Sequence, residues 1–119
     1  VLSADEIVEL QLLVRRLPVA ERVISYAVRL ARMTRPLEGS PDFVREFLSW
    51  GAGPRAGQYL VLGAKAMAAL DGRGAPGLDD VKAVAPSVLR HRLVTNFNAE
   101  AEGIDTDSLI GRLLESTPD

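Results

Sequence analysis

The sequence predicts an all-α fold, a bundle of five or six helices forming a single domain over residues 1–119, and three observations carry that prediction. Apolar residues recur every three to four positions in several separate segments. Proline and glycine interrupt those segments at helix-length intervals. No stretch alternates apolar and polar residues with a period of two over a convincing length, and no internal repeat or low-complexity tract divides the chain.

Ser3 and Glu6 have the spacing of a capping box, in which each side chain satisfies a backbone N–H at the helix start. Ile7, Leu10, Leu13, Val14 and Leu17 follow at helical intervals, which predicts a first helix over 4–17. Pro18 interrupts it, and Glu21 and Arg22 open a second apolar series through Val23, Tyr26, Ala27, Leu30 and Met33 that Pro36 ends. A second helix over 19–35 follows. Two prolines, a glycine and a serine make 36–41 a connection, and Asp42 to Trp50 then allows a short helix with Phe43, Phe47 and Leu48 turned inward.

Gly51-Ala52-Gly53-Pro54 reads as a tight loop, and Pro54 suits the first position of a new helix because its missing N–H would have no intrahelical partner there. Arg55 therefore falls in the first turn. That helix continues through Tyr59, Leu62, Gly63, Ala66, Met67 and Leu70, a stripe rich in small residues that would admit a neighbouring helix at close range. Asp71-Gly72-Arg73-Gly74 ends it. Asp79 and Asp80 place negative charge at the next helix start, where the macrodipole favours it. Val81, Val84, Val88, Leu89 and Leu93 supply buried positions around Pro86, so two short helices or one kinked helix would fit. Residues 96–103 are polar and ambiguous, after which Asp105-Thr106 can cap a last helix with Leu109, Ile110, Leu113 and Leu114 inside.

A chain of 119 residues can bury roughly two-thirds of its unfolded surface, enough for one real core. Fourteen basic against sixteen acidic residues leave no positive surplus for a phosphate backbone, and with six aromatics for base stacking nucleic acid is not an expected partner. Cysteine is absent, which removes disulfides and thiolate metal sites and agrees with a reducing compartment. The longest apolar stretch, Tyr59 to Ala64, falls far short of the roughly 20 residues that span a bilayer, and Val1-Leu2-Ser3 begins no signal peptide. No membrane span is expected, and the cytoplasm is the expected compartment. An initial Val followed at once by a helix cap suggests a piece of a longer protein.

Autonomous nucleotide hydrolysis needs a G-x-x-x-x-G-K-[ST] loop, whose backbone N–H groups cradle phosphates while Lys and a hydroxyl serve phosphate and magnesium. The chain has none, and Lys65 and Lys82 are its only lysines, so no catalytic residue is expected within it. One histidine and no cysteine make a metal site unexpected as well. Asp79-Asp80 could face magnesium, but adjacent acids at a helix start are far more often caps. Ser87 stands one turn before His91 and, with Asp79 or Asp80, would give a Ser-His-Asp set. Against it, no nucleophile elbow surrounds Ser87, and a histidine near a helix end commonly serves the terminal carbonyls. Arg55 combines a Gly-rich loop, a proline-fixed helix start and unpaired N–H groups that attract anions. On these residues alone a surface arginine paired with Asp or Glu is the commoner outcome, and a phosphate contact is the alternative.

Taken in order, Trp50-Gly51-Ala52-Gly53-Pro54-Arg55-Ala56, Ala64-Lys65-Ala66-Met67-Ala68, Asp71-Gly72-Arg73, Leu78-Asp79-Asp80-Val81 and Val88-Leu89-Arg90-His91-Arg92-Leu93 resemble the C-terminal lid of MoxR-family AAA+ ATPases. The stretch Tyr26 to Arg35, ending in Met33-Thr34-Arg35, is similar to the helix preceding that motif in the family. The resemblance implies an AAA+ lid-type bundle beside an α/β nucleotide-binding core, with Gly53, Pro54 and Arg55 at the nucleotide and Arg55 as the sensor-2 arginine facing the terminal phosphate of ATP. Gly53 departs from the commoner serine. The resemblance further implies ATP and Mg in the complete protein with neither held tightly by this chain alone, a hexameric ring, and chaperone-like work on a client protein. Arg73, His91 and Arg92 match motif positions with packing or interdomain roles. A stand-alone helical protein-interaction module is the alternative reading.

Overall fold

The first and last helix starts in the computed structural model, which describes Val1–Asp119, follow the capping chemistry. In α1 (Ala4–Arg16) the Glu6 N–H donates to Ser3 Oγ and the Ser3 N–H donates to Glu6 Oε1, each at 3.2 Å. Asp105 accepts from the Ser108 N–H at 2.8 Å and opens α7 (Thr106–Ser116). Between them lie α2 (Glu21–Met33), α3 (Asp42–Phe47), β1 (Leu48–Trp50), α4 (Arg55–Leu70), α5 (Leu78–Leu89), β2 (Val94–Thr95) and α6 (Phe97–Glu102).

The bundle thus has seven helices rather than five or six, because α6 occupies the polar stretch that showed no periodicity. Six residues are too few to display one. Its signals are at the ends: Asn96 Oδ1 accepts from the Ala99 N–H at 3.1 Å, and Gly103 closes the helix at φ +70°, where a side chain would be strained. Asn96 also joins this corner to α3, its Nδ2 donating to Glu46 O at 2.7 Å and its N–H to Phe47 O at 2.9 Å. Beside that junction β1 and β2 pair antiparallel, so the short helix expected over 42–50 gives way to strand after Phe47.

The core lies between α2, α4, α5 and α7, with Tyr26, Leu30, Leu60, Val81, Leu89, Leu109 and Ile110 fully buried. The buried stripe of α4 is Ala56, Gly57, Leu60, Ala64 and Ala68, and not the one expected. This helix is apolar almost all round, so periodicity alone could not select the inner side. Small residues do bring helices close: a Cβ at Gly63 would stand 3.2 Å from a Val84 methyl on α5. Pro86 sits inside a single α5, which continues past it to Leu89. The proline forgoes only its own bond to Lys82 O, and past it the Arg90 N–H donates to Pro86 O at 2.9 Å.

In contrast, α1 buries none of its residues. It lies along α4, where Lys65 Nζ donates to Arg15 O at 3.1 Å, and together with α4 and α5 it borders an open groove of about 690 Å³ lined by Ile7, Leu10, Tyr59 and Leu62. No helix of the protein is long and apolar enough to cross a membrane.

Candidate functional site

Arg55 is the first residue of α4. Pro54 before it already has helical angles (φ −59°, ψ −29°), and the Ala56 N–H reaches back to Gly53 O at 3.1 Å, so the loop enters the helix without a break. Arg55 is exposed and, unlike Arg45, Arg73 and Arg90, is paired with no carboxylate, so the surface ion pair that its residue type favours is not formed. An always-charged group at the positive end of a four-turn helix, with no internal partner, is suited to an anion brought from outside.

The loop that carries Arg55 is held from the end of α2 by contacts that its own sequence does not announce. Thr34, fully buried, donates from Oγ1 to Ala31 O at 2.6 Å and accepts from the Ala52 N–H at 2.8 Å. Arg35 Nε donates to Ala52 O at 3.0 Å. Both backbone groups of Ala52 are therefore fixed, which a buried segment outside regular structure needs. Gly51 makes the approach possible, since a Cβ there would fall 2.4 Å from Thr34 O. Gly53 is different: a Cβ would meet nothing within 4 Å, so a serine hydroxyl is neither present nor sterically excluded.

The remaining motif residues have structural partners. Arg73 grips Asp80 with two bonds, Nη1 to Oδ2 at 2.8 Å and Nη2 to Oδ1 at 2.6 Å, and reaches Asp71 through Nε at 2.8 Å. Asp80 also accepts from the Gly77 N–H at 2.7 Å, so it caps α5 as expected while tying down the loop before it. The Arg73 hydrogen bonds hold its carboxyl below the ordinary value, with the Gly77 N–H assisting against the cost of burial. Arg73 in turn is pushed to bind its proton still more firmly, first by Asp80 and then by Asp71. With both Asp80 oxygens so engaged, Asp79-Asp80 offers no open pair to magnesium, and no group of three or more His, Asp or Glu residues is placed to hold a metal ion.

Ser87 and His91 are both exposed and not hydrogen-bonded to each other, and with Asp80 committed to Arg73 the Ser-His-Asp arrangement is not assembled. Nor does His91 serve the end of α5. Arg92 does so, donating from Nη1 to Val88 O at 2.6 Å while its guanidinium lies 4.6 Å from the centre of the Tyr59 ring. A longer side chain one residue on reaches back along the helix axis where the imidazole does not. Arg90 bridges to Asp107 at the start of α7, Nε to Oδ1 at 2.8 Å.

Comparison with known proteins places this architecture. Residues 43–113 match the family model of the AAA lid domain. The chain is 32% identical over 117 residues to the chaperone MoxR1 of Mycobacterium tuberculosis, covering 98% of this chain and 31% of that protein. It superposes with a TM-score of 0.88 and 31% identity on the crystal structure of an inferred ATPase from Cytophaga hutchinsonii, covering 97% of this chain and 35% of that one. It thus spans about a third of the length of these relatives. This chain belongs to the AAA lid domain family, as a lid of the MoxR type.

Proposed function

We propose that this chain works as the nucleotide-sensing lid of a MoxR-type AAA+ ATPase, one domain of a longer cytoplasmic protein, in which Arg55 contacts the terminal phosphate of ATP. The observation that carries the reading is Arg55 itself: an exposed guanidinium without an internal partner at the start of α4, on a loop whose backbone is fixed from α2. Gly53 and Pro54 bring the helix start to the nucleotide. The phosphate-binding loop and the acidic groups that hold magnesium belong to the core domain, and ATP supplies the phosphoryl group that is transferred. The part of this chain is to bind and orient. Arg55 donates hydrogen bonds to phosphate oxygens and offsets the charge that grows on them, and because it sits on a rigid helix, loss or gain of that phosphate biases the position of the whole bundle.

The exposed apolar side of α1 fits a role against the core domain or a neighbouring subunit of a hexameric ring, and through the ring to a client protein. The same exposure is what the alternative, a stand-alone protein-interaction module, would need. ATP turnover by the complete protein separates the two. Replacing Arg55→Ala removes a charge-assisted contact of about 1.5–3 kcal/mol, so turnover should fall by roughly 10- to 150-fold. Arg32→Ala, an exposed arginine of α2 outside the ion pairs, should leave it unchanged. Equal turnover in wild type and both variants would remove Arg55 from the mechanism and favour the interaction module.

A further inference from the structure

We infer that Thr34 and Arg35 are positioning residues for Arg55, setting from the end of α2 the direction in which the α4 start presents its guanidinium. The inference rests on the phosphate contact proposed for Arg55.

The geometry is a two-sided hold on one peptide residue. Ala52 is buried, and its N–H and C=O are engaged separately: the N–H by Thr34 Oγ1 at 2.8 Å, the C=O by Arg35 Nε at 3.0 Å. The Thr34 hydroxyl is itself oriented, since donating to Ala31 O at 2.6 Å leaves its lone pairs for Ala52. Gly51 lets the two backbones touch, so the hold acts without an intervening side chain. From Ala52 the chain has only Gly53 and Pro54 before Arg55, and Pro54 has a fixed φ while a Cβ at Gly53 would touch nothing. The loop has no other side-chain anchor. A shift of Ala52 is therefore passed across two residues to Arg55, just ahead of the buried Ala56 and Gly57 that seat α4, and contact with a phosphate oxygen is lost over distances of the order of an ångström.

Thr34 and Arg35 also sit where α2 ends, and α2 packs along both α4 and α5. The orientation of Arg55 is thereby referred to the main body of the bundle rather than to the loop alone. A hydroxyl suits this position because it can donate and accept at once, while valine has the same shape and can do neither.

The test is a double-mutant cycle in the complete ATPase, reading kcat and KM for ATP in wild type, Thr34→Val, Arg55→Ala and the double variant, with Thr34→Ser as the rescue. Thr34→Val should lower kcat about tenfold with a smaller change in KM, Thr34→Ser should restore it to within about twofold, and Thr34→Val should add nothing once Arg55 is gone. A Thr34→Val loss of equal size in both backgrounds would mean a general structural role and overturn the inference while leaving the Arg55 proposal intact, as would unchanged kcat in Thr34→Val. An Arg55→Ala variant with normal turnover would remove both. Should Thr34→Val not fold, Arg35→Gln carries the same cycle, since its partly exposed side chain can be shortened without opening a cavity; additivity with Arg55→Ala would again overturn the assignment.

Discussion

Helices α1 and α2 are both 13 residues long and both carry an apolar side, yet α2 buries Val23, Tyr26, Ala27, Leu30 and Ala31 while α1 buries nothing. Local chemistry would have ranked them the other way. The start of α1 has a complete capping box, whereas Ala20 at the start of α2 supplies no side-chain cap. Caps and spacing decide whether a segment coils into a helix; what covers its apolar side depends on which surfaces the rest of the chain brings to it. Around α2 the fold brings α4, α5 and α7, and around α1 only one side of α4 and the open groove.

The largest consequence is in stability. Leu30 is 0% exposed, and Leu30→Ala should cost about 2–5 kcal/mol through lost apolar contact and the cavity left behind. Urea denaturation of the 119-residue chain, followed by helical circular dichroism, measures it. A cost under about 1 kcal/mol would mean that α2 is not the helix around which the bundle is built, and the contrast with α1 would lose its basis.

Polar contacts divide the same way. The Ser3–Glu6 box of α1 is exposed, whereas Asp80 in the bundle is 6% exposed and its carboxylate is doubly bonded to Arg73. In the folded chain Asp80 titrates below its ordinary value of 3.8, so its contribution to stability is fully present above that value and is lost as pH falls through the lower, folded one. Asp105 and Asp119 are lowered in the same direction, by the Ser108 N–H and by Lys82 respectively, so their contributions carry the same sign of pH dependence. Asp80→Asn should therefore be destabilising at neutral pH, by less than Leu30→Ala, and its stability should fall less steeply than that of wild type below pH 4. Parallel acid limbs in the two proteins would show that the Arg73 pair does not reach across into folding.

What was legible in the sequence follows from how far each signal travels. Ser3-Glu6, Pro54 and Asp105 act within one turn, and the helices they open lie where the residues predicted. The two strands, of three and two residues, are too short to show alternation, and α6 hid because only its end residues are informative. The inner side of α4 differs from the one its spacing predicts because small and apolar residues occupy nearly every side of it, leaving the choice to α2 and α5. At the candidate site Arg55 was legible from its own loop. Met33-Thr34-Arg35 stands out only through the family resemblance, and its hold on Ala52 is not legible because the partner lies far along the chain. Asp80 is the cap that its place at a helix start predicts, but its bond to Arg73 depends on the turn between the two helices.

The smallest expected effect is the one that separates this chain from the longer protein proposed for it. Leu13 on α1 is 55% exposed, and in the 119-residue chain Leu13→Ala should change stability by no more than about 0.5 kcal/mol, since little surface leaves water on folding and no cavity forms when the side chain is cut back. In the longer ATPase proposed for this lid, the same substitution reports on whatever covers α1. If the core domain proposed to lie there packs on Leu13, the residue becomes interior and its loss should approach the cost expected at Leu30, appearing as weaker coupling between lid and core in a thermal or urea transition of the whole protein. A change as small in the complete protein as in the chain would mean that this side of α1 stays uncovered in both. The difference between α1 and α2 would then belong to the lid itself, and not to its separation from a partner.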